Sequence, residues 1–203
     1  MTSQFKPETL DAVLADIWAR LVRGGADRRS AFHTPVVASI DADGTPQQRV
    51  MVLRKTDEAA RTMRFHTDIR SAKADQIGAG APISVLGYDA AAKIQIRVSG
   101  RGCITDAGAQ ADAAWAASSP SSRRCYLAKP GPGTLATIAT SGLPKSFENR
   151  VPEPAETEAG RPNFAVLIVQ IDALEWLYLA ADGHRRARFA RSSDNWQGSW
   201  LIP

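Results

Sequence analysis

Between Gln48 and Lys73 the chain concentrates residues that bind anions. Two strand-like runs, QRVMVLRK and MRFHTDIRSAK, place Arg49, Arg54, His66, Thr67, Ser71 and Lys73 in one hairpin and the start of the next helix. Cations and hydroxyls on an otherwise apolar framework suit a dianionic phosphate, because hydrogen bonds from ionised donors are the strong ones. Ser71 stands where a helix N-cap is expected, a position whose unpaired N–H groups favour negative charge. The same residues on a bare surface would be solvated strand positions, the common case for charged side chains.

The elements that must hold these residues are readable from spacing. Leu10, Val13, Leu14, Ile17, Trp18 and Leu21 recur on one face of a 3.6-residue period, so residues 7–22 are expected to form a helix, with Pro7 in its first turn and Gly24-Gly25 as its end. TPVVASID (34–41) and QQRVMVLRK (47–55) flank Asp43-Gly44, a hairpin signal. TMRFHT (62–67), PISVLGY (82–88) and KIQIRVSGRGCI (93–104) read as further strands. In the last of them Ile94, Ile96 and Val98 alternate with Gln95, Arg97 and Ser99. A short helix covers 71–80, and an alanine-rich one covers about 108–117. More than half of the chain's twelve prolines fall in residues 118–163, and 143–163 is expected to be an exposed loop. FAVLIVQID (164–172), LEWLYLA (174–180), HRRARFAR (184–191) and WQGSWLI (196–202) close the chain as an antiparallel meander.

The fold class that follows is mainly β, of the α+β type: one domain over 1–203, an antiparallel split barrel with flanking helices and an N-terminal helix within 1–25. Strands arriving in short hairpins disfavour a parallel doubly wound sheet, and no GxGxxG follows a strand. The charge is modest, 25 Lys and Arg against 21 Asp and Glu, without a basic block, which argues against nucleic acid. Cys103 and Cys125 have neither CxxC spacing nor a nearby His pair, so no metal is expected. No apolar run approaches a membrane span and no signal-peptide pattern opens the chain, so a cytoplasmic protein is expected.

RVMVLRKTD, FHTDIRSAKADQI, QIRVSGR and the C-terminal run EWLYLAADGHRRARF…W…WLIP, in that order, resemble the pyridoxamine 5′-phosphate oxidase family of FMN-binding split barrels. The resemblance covers about Pro35 to Pro203. It implies a homodimer with FMN at the subunit interface and a small-molecule substrate that gives two electrons to the flavin, with dioxygen reoxidising it to yield hydrogen peroxide. Carried over residue by residue, Arg49 grips the phosphate. Val50, Met51, Val52 and Leu53 run along the flavin ring, and Arg54 closes that strand. His66-Thr67 replaces the usual Tyr-Thr pair, Ser71 and Lys73 bind phosphate, and Gln95 meets the ring. Trp176, or Tyr178 if the spacing is counted from Arg188, and Arg188 itself correspond to residues given by the partner subunit.

The chain departs from the family pattern in two places. Ala72 stands where an Arg belongs, and Arg70 is the nearest guanidinium to replace it. The substrate-phosphate residues are also rewritten: Arg54 stands for a Lys, Ser119 for an Arg, Trp115 for a Tyr, and His184-Arg185-Arg186 for an Arg-x-His. Arg54, Ser121 and Arg186 are the substrate-binding residues this leaves, with Arg123 or Arg124 as substitutes from a shifted loop. The expected activity is therefore an FMN-dependent oxidoreductase with its substrate open. The alternatives are a flavin store or sensor without turnover, or a true pyridoxamine 5′-phosphate oxidase. Haem would require an axial histidine, and His33, His66 and His184 show no ligand context.

Overall fold

The computed structural model describes residues 7–181, 183–193 and 195–203, and they divide into two compact units. The first comprises Met1–Phe65, Ala81–Gly102 and Ile168–Pro203; the second comprises His66–Gly80 and Cys103–Leu167.

The first unit is built on an antiparallel sheet. Its strands are β1 (Val36–Ile40), β2 (Pro46–Val50), β3 (Leu53–Asp57), β4 (Thr62–Asp68), β5 (Ala81–Asp89), β6 (Ile94–Thr105), β7 (Phe164–Tyr178), β8 (Arg185–Ser192) and β9 (Asn195–Leu201). The order is β2-β1-β5-β6-β7-β4-β3, with β8 on β7 and β9 on β8, and the path does not close into a full barrel. β4, β6 and β7 continue past the unit boundary, so the second unit begins or ends on each of them.

Helix α1 (Leu10–Ala26) covers this sheet, burying Val13, Ile17, Trp18 and Leu21. Each such side chain contributes about 1.5–3 kcal/mol on burial. Thr9 caps the helix by accepting from Ala12 N, so Pro7 lies outside it. The helix also runs through Gly24 and Gly25, where the sequence suggested a stop. A Cβ on Gly24 would sit 2.7 Å from the Phe32 carbonyl oxygen, and one on Gly25 would sit 3.1 Å from Lys55 Cα. These glycines permit close approach, a second use of the missing side chain.

Two further strand expectations change. The run 47–55 is two strands: β2 pairs with β1 and β3 pairs with β4. The chain switches partner at Met51 and Val52, and the Met51 and Leu53 N–H groups bond to the Pro35 and His33 carbonyls. By contrast, 164–172 and the run from 174 fuse into the single strand β7, which ends at Tyr178, because Asp172 stays extended and Ala173 pairs with Ala190.

The second unit holds α2 (Ala72–Ile77), α3 (Ala109–Ala116), α4 (Pro120–Arg123), α5 (Lys145–Glu148) and α6 (Pro154–Thr157). Its core is an aromatic cluster around Phe164. The rings of His66, Tyr126 and Trp115 lie 4.9, 5.1 and 5.2 Å from it. The stretch 143–163 is partly exposed, yet it forms short helical turns that bury Thr157 and Gly160.

Candidate functional site

In the second unit β4 ends at Asp68, the chain turns, and α2 begins after Ser71. The turn brings three polar side chains together. Lys73 Nζ donates to Ser71 Oγ at 3.1 Å and to Thr67 Oγ1 at 3.3 Å, and the two hydroxyls are 3.4 Å apart. Thr67 and Ser71 are buried at 4% and 3% exposure, so their orientation is fixed by packing. Ser71 Oγ donates to the Asp68 carbonyl at 2.6 Å and does not cap the helix. His66 packs edge-on against Phe164. The cluster seats an ammonium on two hydroxyl oxygens.

Asp68, the nearest acid in sequence, is engaged elsewhere. Arg70 grips its carboxylate at 2.9 and 2.7 Å and donates from Nη1 to the Ala128 and Lys129 carbonyls. The Asp68 bond holds Arg70 above the usual guanidinium range. Most of Arg70's donors are thus committed within the protein.

Arg123 is committed in the same way. It is 8% exposed, lies over the Trp115 ring at 4.7 Å, and donates to the Trp115 and Ala116 carbonyls, Glu158 and Thr157. Arg124 donates to the Arg150 carbonyl. Ser119 caps α4 by accepting from Ser122 N, and Ser121 is exposed beside it. Trp115 is buried, with its indole N–H on Glu158.

In the first unit the cross-strand register assigns each residue to a face, since direct partners share a side and neighbours alternate. Arg49 pairs with Val37, and its Nη1 donates to the buried Ser39 hydroxyl at 2.7 Å. Burial pushes this guanidinium below its ordinary value. Gln95 lies on the opposite face. Together with Val36, Ala38, Gln48, Ser84, Leu86 and Arg97 it lines a cleft of about 290 Å³. Along the run 50–53, Met51 and Leu53 turn inward, while Val50 is 65% exposed and Val52 is half-buried.

A neighbouring cleft of about 350 Å³ is lined by Ser84, Arg97, Ser99, Glu175 and Arg188. Glu175 accepts from Arg97 and from Arg186 Nη2, at 2.5 and 3.0 Å. Arg188 pairs with Glu175, whereas Trp176 pairs with Ala187 on the other face. Trp176 is fully buried, donates from its indole to Asp16 on α1, and stacks on the equally buried Tyr178. Neither aromatic therefore shares the Arg188 face, a separation set by the β7–β8 register.

Sequence reasoning passed over Arg64. The β3–β4 pairing shifts between Leu53 and Lys55, so Arg54 is an extra residue and Arg64 pairs with Lys55. The Nε atoms of Arg54 and Arg64 are buried without a hydrogen-bond partner. Only the hairpin register reveals the pair. Cys103 and Cys125 are exposed and form no disulfide, and the described residues contain no cluster of metal-binding side chains and no helix long and apolar enough to cross a membrane.

Residues 15–106 match the model of the pyridoxamine 5′-phosphate oxidase FMN-binding domain. A pyridoxine/pyridoxamine 5′-phosphate oxidase of Hyphomonas neptunium is 30% identical over 173 residues, 81% of this chain and 73% of that protein. One of Ruegeria is 31% identical, covering 82% of each chain. Among solved structures, a pyridoxamine 5′-phosphate oxidase-related, FMN-binding protein of Nostoc punctiforme superposes with a TM-score of 0.71 at 24% identity, covering 98% of this chain and all of that one. PhzG of Burkholderia lata, solved with tetrahydrophenazine-1-carboxylic acid, gives 0.68 at 19% identity, over 100% and 97% of the two chains. These two show the shared fold. The relatives and the matching domain establish that this chain belongs to the FMN-binding pyridoxamine 5′-phosphate oxidase family.

Proposed function

We propose that the chain is a cytoplasmic, homodimeric, FMN-dependent oxidoreductase acting on a small molecule other than pyridoxamine 5′-phosphate. The observation that carries the reading is the Thr67–Ser71–Lys73 cluster. The Lys73 ammonium, seated on the buried Thr67 and Ser71 hydroxyl oxygens beside a carboxylate already engaged by Arg70, is a charged donor that suits a phosphate dianion. Lys73 neutralises charge, and Thr67 and Ser71 hold its ammonium in place. Arg49 and Gln95 are assigned to FMN on the family resemblance. FMN, when bound, supplies the two-electron chemistry; the protein's share is binding, orientation and exclusion of water.

The dimer is supported by an exposed apolar row. Val50, Val36 and Leu86 are direct cross-strand neighbours, and Val50 and Leu86 are 65% and 37% exposed. Arg188, on the β8 face lined by the second cleft, is the residue proposed to reach the partner's cofactor.

Pyridoxamine 5′-phosphate itself is the second reading, favoured by the names of the Hyphomonas and Ruegeria relatives. Against it stands Arg123, whose donors are taken by the protein, with Ser119 acting as a helix cap. A site built around a phosphate discriminates steeply once its donors are gone.

The test has three parts. Purified protein should be yellow, and heat should release FMN rather than FAD. Light scattering should give about twice 21.8 kDa. Peroxide formation from pyridoxamine 5′-phosphate should fall well below the ~1 s⁻¹ lower end of ordinary enzyme turnover. A flavin-free protein, or a monomer that keeps its flavin, would end this reading. Reduction of the bound flavin by no donor in an amine and NAD(P)H panel would turn it to a flavin store.

A further inference from the structure

Glu175 stands among three guanidiniums and bonds only two of them. Its side chain is mostly buried, at 14% exposure. Its Oε1 accepts from Arg97 and from Arg186, which reach it from β6 and β8, both paired with β7. Arg188 is its direct partner across the β7–β8 ladder. Such partners have Cβ atoms about 4.5–5.5 Å apart. Yet Arg188 makes no hydrogen bond or ion pair among the described residues.

A carboxylate this far from water needs a cation, because an unpaired buried charge is costly. Arg97 and Arg186 meet that need. If either is removed, the unused guanidinium at hand is Arg188, on Glu175's own ladder. Arg97 is itself 45% exposed, so its pairing adds little to stability. What the pairing decides is which of the three guanidiniums is left over.

We infer that Arg97 is a positioning residue: by occupying Glu175 together with Arg186, it keeps Arg188 unpaired and able to bind an anion outside its own subunit. On the FMN-oxidoreductase reading above, which this last step rests on, that anion is the partner subunit's FMN. A residue acting only through its field would behave differently. Removing Arg97 and removing Glu175 would then have opposite, additive effects, whereas positioning makes the second effect depend on the first.

Two measurements on wild type, Arg97→Leu, Glu175→Gln and the double variant separate these cases. The first follows the Nε–H signal of Arg188 by NMR, assigned by its absence from Arg188→Lys, on the full chain before FMN is added. The signal should exchange rapidly with water in wild type. It should be protected in Arg97→Leu, as Glu175 captures Arg188, and exchange rapidly again in the double variant. The second is FMN affinity by fluorescence titration. Arg97→Leu should weaken it about tenfold, the scale of one charge-assisted hydrogen bond. Glu175→Gln alone should change it by less than about twofold, and the double variant should return to within about twofold of wild type. Arg97→Lys, which keeps a cation on Glu175, should behave as wild type. Equal exchange of Arg188 in wild type and Arg97→Leu overturns the inference. So does tightening of FMN by Glu175→Gln to the same degree in both backgrounds. Failure of Glu175→Gln to rescue Arg97→Leu also overturns it, by giving Arg97 a contact of its own. A wild type that takes no FMN defeats the oxidoreductase reading alone, and the exchange of Arg188 still decides whether Arg97 keeps it free.

Discussion

Two cation-bearing stretches of the second unit use the same chemistry for opposite ends. Around Lys73 an ammonium donates to two hydroxyl oxygens. Around Arg123 a guanidinium is surrounded by carbonyls, a carboxylate and an indole face, so its donors end within the protein. The first arrangement is the one proposed to meet an incoming anion; the second holds α3, α4 and α6 in place. A cation's role is decided by the acceptors already around it, and the residue type alone does not reveal them.

Substitution should separate the two roles. The largest effect is expected for Arg123→Ala. It removes the charged donor from the Trp115 and Ala116 carbonyls and from Glu158, and should cost about 3 kcal/mol in urea denaturation, near the upper range for a hydrogen bond to a charged group. The variant that still folds should keep its FMN affinity. Lys73→Ala should do the reverse: FMN affinity falls by about 1.5–3 kcal/mol in calorimetry, while stability of the apoprotein changes within ~0.5 kcal/mol. If Lys73→Ala unfolds the protein, or Arg123→Ala releases FMN from a folded one, the contrast collapses.

The smallest effect belongs to a matched cation at the surface. Arg150 holds Glu156 by two short hydrogen bonds, and these, followed by the Glu153 N–H, lower the Glu156 carboxyl from 4.5 to about 2. A depressed carboxylate contributes stability above its unfolded value and loses it as pH falls through its folded value. Thermal melts of wild type and Glu156→Gln should therefore differ slightly above pH 4.5 and converge towards pH 2. Raised salt should narrow the gap, since exposed pairs are screened.

Much of this arrangement is legible before any coordinates. The period of Leu10 to Leu21 gives α1, and the alternation of Ile94 to Ser99 gives both faces of β6. Thr67, Ser71 and Lys73 are close in sequence, so a single turn assembles them. What escapes depends on partners distant in the chain. Gly24-Gly25 resembles a helix stop because sequence does not show Phe32 and Lys55 packed against it. Trp176 and Arg188 appear as a pair until the β7–β8 register assigns them to opposite faces. Arg64 looks like one more surface charge until the bulge places Arg54 beside it. Arg123 and Arg70 look available because nothing in their own segments announces the carbonyls that engage them.

The second unit is also discontinuous: His66–Gly80 and Cys103–Leu167 are separated by β5 and most of β6. The turn that carries Thr67, Ser71 and Lys73 is tied by Ile69 N to the Asn163 carbonyl and by Gly78 O to Ile104 N. A nascent chain emerging from the ribosome thus displays Thr67, Ser71 and Lys73 long before the residue that tethers their turn has been made. Such closures at large sequence separation form late, because loop entropy must be overcome first. The cofactor is in this respect a post-synthetic ligand: truncation before Asn163 leaves the Lys73 turn without its tether, and flavin capture should begin only when translation is close to complete.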